Sequence, residues 1–407
     1  MKNNIPQGYK ATPLGIIPQE WEVRRLGDLC CNQGDYGINA PAVAYSNDLP
    51  TYLRITDISD DGKFIIDNKA SVNSPNSESY HLKEGDIVFA RTGATVGKTY
   101  LYDPADGDLV FAGFLIRFSP NEQKIVPYYL KTYTNTAAYW YWVKIISQRS
   151  GQPGINAAEY SSLQLPVPPL AEQKKIAEVL GVWDKAIEKQ SQLIEQLTLR
   201  KRGLMQQLLT GKKRLPGFSG EWRKEKAGSI FENSSVRSNK LEPLLSATQE
   251  YGVVPRDMLE TRVTMPSGNL SSFKRVDIGD FVISLRSFEG GIEYSKYSGI
   301  ISPAYTVLKK KHNVNDIFYK AYFKSHEFIQ RLAIAVIGIR DGKQISYSDF
   351  CYIRIPLPSF EEQTAIAEVL TAADREIELA QQKLELLRQQ KRGLMQQLLT
   401  GKKRVKY

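Results

Sequence analysis

Apolar residues recur along two stretches of the chain at spacings that alternate between four and three. One stretch begins at Ile176 and the other at Ile366. This spacing forms a stripe along one side of an α-helix and is the seam pattern of a coiled coil. The predicted seam residues are Ile176, Leu180, Trp183, Ile187, Ile194 and Leu197 in the first stretch and Ile366, Leu370, Ile377, Leu384 and Leu387 in the second.

Both stretches carry signals for the ends of a helix. Prolines precede each start, at 168–169 and at 356 and 358, and Gly211 and Gly401 follow the last apolar positions. Glycine favours the left-handed conformation in which many helices end. Each helix is therefore predicted to run about 40 residues, or roughly 60 Å at 1.5 Å per residue.

The chain is an internal duplication. Residues 201–214 recur unchanged at 391–404, and 29 of the 50 pairs that relate 165–214 to 355–404 are identical. Upstream of these shared segments the two copies diverge, apart from short similarities. The repeat predicts a first variable domain at 1–164, a first shared helical segment at 165–214, a second variable domain at 215–354 and a second shared helical segment at 355–407.

An antiparallel pairing of the two helices fits the lengths of the connecting segments. The roughly ten residues after Gly211 span at most about 35 Å, and the second variable domain should be about 35–40 Å across. A parallel pair would require the second helix to start about 60 Å away. The predicted fold is α/β, with two globular domains joined by two long helices in an antiparallel coiled coil. A pseudo-two-fold relates the two halves.

These features resemble the specificity subunits of type I restriction–modification systems, the HsdS family. The resemblance rests on the Pro-rich segments 165–173 and 355–363 and on the repeated Ile-Ala-Glu-Val-Leu and Gly-Leu-Met-Gln-Gln-Leu-Leu-Thr-Gly motifs. Segments 82–93 and 276–286 look like parts of that family's target-recognition domains. The resemblance covers nearly the whole chain. It implies that each variable domain reads one half of a bipartite site in double-stranded DNA, while the helices set the spacing and dock partners.

The resemblance also implies partners that carry the chemistry. Two modification subunits would be adenine-N6 DNA methyltransferases that bind S-adenosylmethionine. Restriction subunits would be endonucleases that use ATP and Mg. This chain has no Asn/Asp-Pro-Pro-aromatic motif and no Gly-rich cofactor fingerprint between a strand and a helix. We expect a non-catalytic subunit with no catalytic residues, cofactor or metal site of its own.

Two alternatives to a specificity subunit are a stand-alone DNA-binding regulator, which would work without partner subunits, and an enzyme of the nucleotide-hydrolase class. The formal charge of +10 favours a polyanionic partner. However, residues 1–169 contain 15 Lys and Arg against 17 Asp and Glu, so DNA contacts there must come from a local patch.

The three cysteines form no Cys-x-x-Cys pair, and no apolar run is long enough to span a membrane. We expect a cytoplasmic protein without membrane contact.

Candidate DNA contacts are basic and amide side chains in both variable domains. Arginine offers a planar fork that suits guanine, and glutamine can pair with adenine. The clusters at 149–152 and 340–344 each precede a shared segment. The predicted DNA-binding residues are Arg54, Arg91, Lys98, Arg149, Gln152, Arg275, Arg286, Arg340, Lys343 and Gln344.

Other conspicuous motifs have simpler interpretations. Segment 93–99 resembles a phosphate-binding loop, but three rather than four residues separate its glycines. We predict a tight loop between two strands. The pairs Asn156 with Glu159 and Ser346 with Asp349 are predicted to cap helices.

An aromatic run and two basic segments also have more than one interpretation. The aromatic run 139–142 is predicted to lie in the core rather than to stack on bases. The basic segments 212–214 and 402–404 fit either DNA phosphates or the dipoles of the helix ends. The sequence leaves that choice open.

Overall fold

The chain divides into two compact units in a computed structural model that describes residues 5–149, 151–237, 242–259, 270–285, 287–336 and 345–406. Unit 1 comprises the chain up to Lys189 together with the segment from Leu384 onward, and unit 2 comprises Gln190–Lys383. Each unit therefore holds one variable block and part of both long helices. Because this division falls inside the helices, the boundaries at 164, 214 and 354 remain predictions from the repeat.

Unit 1 is built from short strands and short helices that precede the first long helix. Its strands are β1 (Tyr9–Thr12), β2 (Gly15–Pro18), β3 (Glu22–Arg25), β4 (Asp35–Tyr36), β5 (Ala42–Ala44), β6 (Thr51–Leu53), β7 (Ala70–Val72), β8 (Ile87–Ala90), β9 (Thr99–Leu101), β10 (Leu109–Phe111), β11 (Leu115–Phe118) and β12 (Gln164–Val167). Its helices are α1 (Leu26–Leu29), α2 (Pro127–Tyr133), α3 (Ala137–Ile146), α4 (Ala157–Ser161) and the first part of α5 (Leu170–Leu208).

Two four-stranded sheets organise unit 1. One is antiparallel in the order β4-β11-β8-β9, and the other has the order β10-β6-β7-β5, with β10 parallel to β6. The main core packs helices α2, α3 and α4 against the first sheet around Phe89, Phe118, Tyr129 and Tyr160. Strand β3 pairs with β12, which leads directly into α5.

Unit 2 repeats this plan although its variable block has diverged in sequence. Its strands are β13 (Arg223–Lys226), β14 (Phe231–Ser234), β15 (Leu245–Thr248), β16 (Gly252–Pro255), β17 (Lys274–Val276), β18 (Phe281–Ile283), β19 (Glu293–Tyr294), β20 (Gly299–Ile301), β21 (Thr306–Lys310) and β22 (Arg354–Leu357). Its helices are α6 (Ala227–Ile230), α7 (Ser287–Gly290), α8 (Asp316–Phe323), α9 (His326–Val336), α10 (Tyr347–Tyr352) and the first part of α11 (Phe360–Leu398). The sheet order β14-β21-β18-β19 matches β4-β11-β8-β9, and β13 pairs with β22 as β3 pairs with β12.

Both long helices begin and end where the sequence predicts. Each has 39 residues and starts directly after the Pro-rich segment. Gly211 and Gly401 both have a φ of +70°, which a residue with a Cβ adopts only with strain. The Lys213 N–H donates to the Gln207 carbonyl at 3.1 Å, and the Lys403 N–H donates to the Gln397 carbonyl at the same distance. Glycine therefore ends both helices.

The two helices run antiparallel within each unit. In unit 1, Lys391 Nζ lies 2.5 Å from Asp184 Oδ1, and Arg404, just after α11, has its Nε 2.6 Å from Glu172 Oε1 near the start of α5. In unit 2, Lys201 pairs with Asp374, and Gln190 Nε2 donates to the Ala380 carbonyl at 2.9 Å. Residue numbers rise on one helix as they fall on the other, which confirms the antiparallel coiled coil.

Burial along the helices follows the stripe that the sequence defines. Among the predicted seam residues, Ile176, Leu180, Ile366 and Leu370 are buried. Those that are half-buried are Trp183, Ile187, Ile194, Leu197, Ile377, Leu384 and Leu387. By contrast, Val182, Leu193 and Leu199 lie off the stripe and are exposed. No helix among the described residues is long and apolar enough to cross a membrane.

A buried lysine lies on α2 in unit 1. Lys131 Nζ donates to the carbonyl and to the hydroxyl of Thr99 at 2.9 and 3.0 Å. Burial lowers the pKa of the Lys131 ammonium from 10.5 to about 8, a shift that nearby Asp61 opposes and Lys391 reinforces.

We expect this lysine to make stability depend on pH above neutrality. Since its pKa is lower in the folded chain, the unfolded chain holds the proton more tightly, and the free energy of unfolding rises between pH 8 and pH 10.5. Relative to Lys131→Met, the wild type should gain about 2 kcal/mol between roughly pH 7 and 9.5. Urea titrations at both pH values measure this difference. The exposed Lys63→Met variant is the control, and identical pH dependence of Lys131→Met and wild type would contradict the assignment.

Candidate nucleic-acid interface

Several predicted DNA contacts of unit 1 meet at the connection between β8 and β9. This connection, residues 91–98, turns through a short 3-10 helix at Gly93–Thr95 and joins two antiparallel strands, as predicted. The Arg91 carbonyl accepts from the Ile155 N–H at 2.9 Å, and the Gly93 N–H donates to the Pro153 carbonyl at 3.0 Å. A Cβ on Gly93 would come within 2.9 Å of Gln152 Nε2. The fold thus brings Arg91 and Gln152 onto one surface.

Two exposed aromatic residues complete this surface. The Arg91 guanidinium carbon lies 4.8 Å from the centroid of the Tyr36 ring, and the Tyr36 hydroxyl accepts from the Ala157 N–H at 3.1 Å. The Arg91 N–H donates to the Phe114 carbonyl at 3.0 Å. Tyr36 is 43% exposed and Phe114 is 58% exposed. We call Tyr36, Arg91, Phe114 and Gln152 the reading cluster.

The two aromatic members of the reading cluster are absent from the sequence-based candidates. Tyr36 ends a two-residue strand, and Phe114 lies in the turn between β10 and β11. Neither belongs to a periodic pattern. The available signal is an aromatic residue beside glycine, in Tyr36-Gly37 and Gly113-Phe114. Such pairs place a large side chain in a turn, but they do not indicate what lies next to it.

Four other predicted DNA contacts form ion pairs within the chain. The four pairs are Arg54 with Asp57 at 2.7 Å, Lys98 with Asp60 at 2.6 Å, Arg149 with Glu159 at 2.5 Å and Arg275 with Asp277 at 2.9 Å. Hydrogen bonding to Asp57 raises the pKa of Arg54, and hydrogen bonding to Lys98 lowers the pKa of Asp60. Within the described residues Arg91 forms no ion pair. Among these five predicted contacts, Arg91 is therefore the one cation without a carboxylate partner in the described part of the chain.

Both predicted capping pairs are confirmed. The Asn156 side chain accepts from the Glu159 N–H, and the Glu159 carboxylate accepts from the Asn156 N–H, each at 2.9 Å. Ser346 and Asp349 make the same reciprocal bonds at the start of α10. Arg149 Nη2 also donates to both carboxylate oxygens of Glu159, at 2.5 and 2.7 Å. Arg149 thereby stabilises the start of α4, next to the reading cluster.

Most of the predicted contacts of the second variable domain lie outside the described residues. These are Arg286, Arg340, Lys343 and Gln344. Arg275, in β17, is described and is held by Asp277, which also accepts from Lys309 Nζ at 2.7 Å. The hydrogen bond from Lys309 is the main cause that lowers the pKa of Asp277.

A Trp–Glu–Arg triad centred on a buried glutamate recurs in both units and includes the arginine of each repeated basic segment. In unit 1, Glu172 accepts from Arg404 Nε at 2.6 Å and from Trp21 Nε1 at 2.9 Å. In unit 2, Glu362 accepts from Arg214 Nε at 2.5 Å and from Trp222 Nε1 at 2.9 Å. The arginine that ends each Lys-Lys-Arg segment therefore has a partner within the chain, while Lys212, Lys213, Lys402 and Lys403 remain exposed.

The glutamine after each triad glutamate joins the long helix to its own unit. Gln173 Oε1 accepts from the Val126 N–H at the start of α2, and Gln363 Oε1 accepts from the Asn315 N–H at the start of α8, both at 2.8 Å. Each amide also donates to the carbonyl of a preceding proline. The repeated Glu-Gln pair thus positions the start of each long helix.

Comparison with known proteins places the whole chain in one family. The model of the type I restriction modification DNA specificity domain matches residues 18–199 and again residues 220–389. Two solved chains share the fold. One, from a study of complex assembly and conformational transition of the type I R-M system, has a TM-score of 0.60 at 17% identity and covers 95% of this chain and 99% of its own. The type I restriction-modification S subunit of M. genitalium has a TM-score of 0.55 at 14% identity, covering 98% and 97%.

Similar proteins with curated names come from Methanocaldococcus jannaschii. The putative type I restriction enzyme MjaX specificity subunit is 30% identical over 98% of this chain and 97% of its own length. The type I restriction enzyme MjaVIII specificity subunit is 26% identical over 96% and 94%. The chain therefore belongs to the family of type I restriction–modification specificity subunits, and its two tandem units are DNA-recognition domains.

Proposed function

We propose that the reading cluster is the surface through which unit 1 contacts base edges. The observation that carries this proposal is the Arg91 guanidinium, which lies against the Tyr36 ring and forms no ion pair within the described residues. An arginine held flat by an aromatic ring can present two parallel N–H groups, and this fork matches O6 and N7 of guanine in the major groove.

The residues beside Arg91 also have side chains that can contact base edges. Gln152 is exposed and has an amide that can pair with the N6 and N7 edge of adenine. The exposed ring of Phe114 offers an apolar contact of the kind that a thymine methyl group accepts. The hydrogen bond from Ala157 fixes Tyr36 to the start of α4. The ring on which the Arg91 guanidinium lies is therefore fixed before DNA binds, which reduces the entropy cost of binding.

The wider proposal concerns the complex in which the chain works. Each unit reads one half of a bipartite site, and the chain itself carries no catalytic centre and no cofactor. It assembles with two modification subunits, which are adenine-N6 methyltransferases that hold S-adenosylmethionine, and with restriction subunits that use ATP and Mg. Support comes from the family to which the chain belongs and from the specificity-subunit names of its relatives.

Arg91→Ala should relax base preference in one half of the site and leave the other half unchanged. Loss of one bidentate base contact costs about 1–3 kcal/mol of discrimination, which corresponds to roughly 5- to 150-fold. Methylation of a pool of randomised sites by the assembled complex measures this preference at each position.

Arg54→Ala is the matched control for this experiment. The Arg54 guanidinium is bound to Asp57 and to the Asn68 carbonyl. Its loss should therefore lower the free energy of unfolding while changing base preference little. An Arg91→Ala variant with wild-type preference at every position would contradict a base contact. Uniform weakening on all sequences would contradict it as well, because that is the effect of a lost phosphate contact.

A further inference from the structure

A ribbon of exposed cations lies on the two-stranded pair of unit 2. Strands β13 and β22 are antiparallel, with Lys224 opposite Pro356 and Lys226 opposite Arg354. Arg223, Lys224, Lys226 and Arg354 are all exposed. We call these four residues the basic ribbon.

Among the residues that the structure describes, no carboxylate forms an ion pair with any of the four side chains of the basic ribbon. Arg354 Nη1 lies 3.4 Å from the Lys224 carbonyl, and Lys226 Nζ lies 5.4 Å from the centroid of the Tyr352 ring, which is itself 73% exposed. The ribbon therefore presents cations and an aromatic face to the solvent.

Helix α9 adds a further cation beside the ribbon. Arg331 Nη1 donates to the Arg354 carbonyl at 2.7 Å, and Arg331 Nη2 donates to Glu327 Oε1 at 2.5 Å. Arg331 lines two open clefts. One, of about 430 Å³, also includes Lys224, and the other, of about 370 Å³, also includes Arg354 and Tyr352. Arg331 therefore lies between two shallow, open clefts.

The duplication supplies an internal comparison, because β3 and β12 of unit 1 pair in the same register. There, Glu22, Val23 and Gln164 occupy the positions of Arg223, Lys224 and Arg354. The eight strand residues carry a formal charge of +1 in unit 1 and +3 in unit 2. In unit 1, moreover, Arg24 pairs with Glu22. The fold of the ribbon therefore does not require the extra cations of unit 2.

We propose that the basic ribbon binds backbone phosphates of the DNA that unit 2 reads. Unpaired lysine and arginine side chains gain affinity for a duplex by releasing condensed counterions. Unit 2 thus supplies a larger share of the sequence-independent affinity than unit 1 does. The inference rests on DNA recognition by the chain but not on the reading cluster.

The test measures how DNA affinity depends on salt. The triple variant Lys224→Gln, Lys226→Gln, Arg354→Gln and the wild type are each assembled as the full-length chain with the modification subunits. Each is titrated against a duplex of random sequence at several salt concentrations. The slope of log K against log salt is negative, and loss of each phosphate contact reduces its magnitude by about 0.9. We expect the magnitude of the slope to be smaller by about 2 to 3 in the triple variant, with base preference unchanged on randomised sites.

Arg25→Gln is the matched control, because Arg25 occupies on β3 the register position that Lys226 occupies on β13. The magnitude of its slope should change by well under about 0.9, the value for one lost phosphate contact. An unchanged slope in the triple variant would overturn the proposal. A variant that folds but no longer assembles with the modification subunits would overturn it as well, since the ribbon would then be a protein contact. If the wild type lacked sequence preference, the proposed reading function would fail, yet the comparison of slopes would still decide about the ribbon.

Discussion

Glu172→Gln is expected to lower the free energy of unfolding by about 3 kcal/mol. The Glu172 carboxylate is fully buried and accepts from both Arg404 and Trp21. A glutamine has nearly the same shape but no charge, so the Arg404 guanidinium loses its buried counter-charge. Removal of one partner of a buried ion pair costs about 3–5 kcal/mol. We expect a cost at the lower end of this range because the Arg404 side chain is one-third exposed and also pairs with Glu20 at 2.9 Å.

Urea unfolding of the full-length chain measures this effect, and the duplication provides a replicate. Glu362→Gln removes the equivalent carboxylate from Arg214 and Trp222 in unit 2 and should destabilise by a similar amount. Glu178→Gln, on the same helix as Glu172, removes an exposed pair with Lys175 and should cost less than about 0.5 kcal/mol. If Glu172→Gln cost no more than Glu178→Gln, the triad would have no structural role.

The long helices could be predicted because their signals are local and repeated. The seam needs only the 4-3 spacing, and the ends need only the prolines before Leu170 and Phe360 and the glycines after each stripe. The capping pairs at Asn156 and Ser346 are likewise set by residues three apart. Each of these features depends on neighbours in sequence, which is why pattern alone indicates it.

The reading cluster could be predicted only in part, because it depends on contacts distant in sequence. Arg91 and Gln152 follow from residue type, but Tyr36 lies 55 positions before Arg91 and no periodicity connects them. The sequence also does not show whether a basic side chain is free or forms an ion pair within the chain. Arg54 and Lys98 have the same residue types as good DNA contacts, and only the loop conformations bring Asp57 and Asp60 to them.

The prediction that the aromatic run 139–142 lies in the core is wrong for half of its members. Helix α3 turns Tyr139 and Trp142 toward the core, whereas Trp140 is 39% exposed and Tyr141 is 67% exposed. Four consecutive helical residues cover all sides of a helix, so a run of this length cannot be buried as a whole. A helical interpretation of 137–146 at the outset would have assigned two of the four rings to the surface.

Exchange of the second variable block should change one half of the recognised site completely. The strands β13 and β22 close unit 2, and Trp222, Arg214 and Glu362 form its triad. We therefore expect a chain in which residues 227–353 come from a relative with a different second half-site to keep the ribbon, the triad and both helices. Each mismatched base pair costs about 1–3 kcal/mol, so three changed base pairs should lower methylation of the parental site by at least about 100-fold.

Two tandem domains each read their own half of the DNA site, and a genome-wide map of methylated adenines tests this most directly. Cells with the partner subunits are compared when they carry the parental chain, the exchanged chain or neither. We predict a bipartite motif with the parental chain, the same first half with a new second half after the exchange, and no such motif without the chain. A chain that assembles after the exchange yet alters both halves, or leaves both unchanged, would contradict the account.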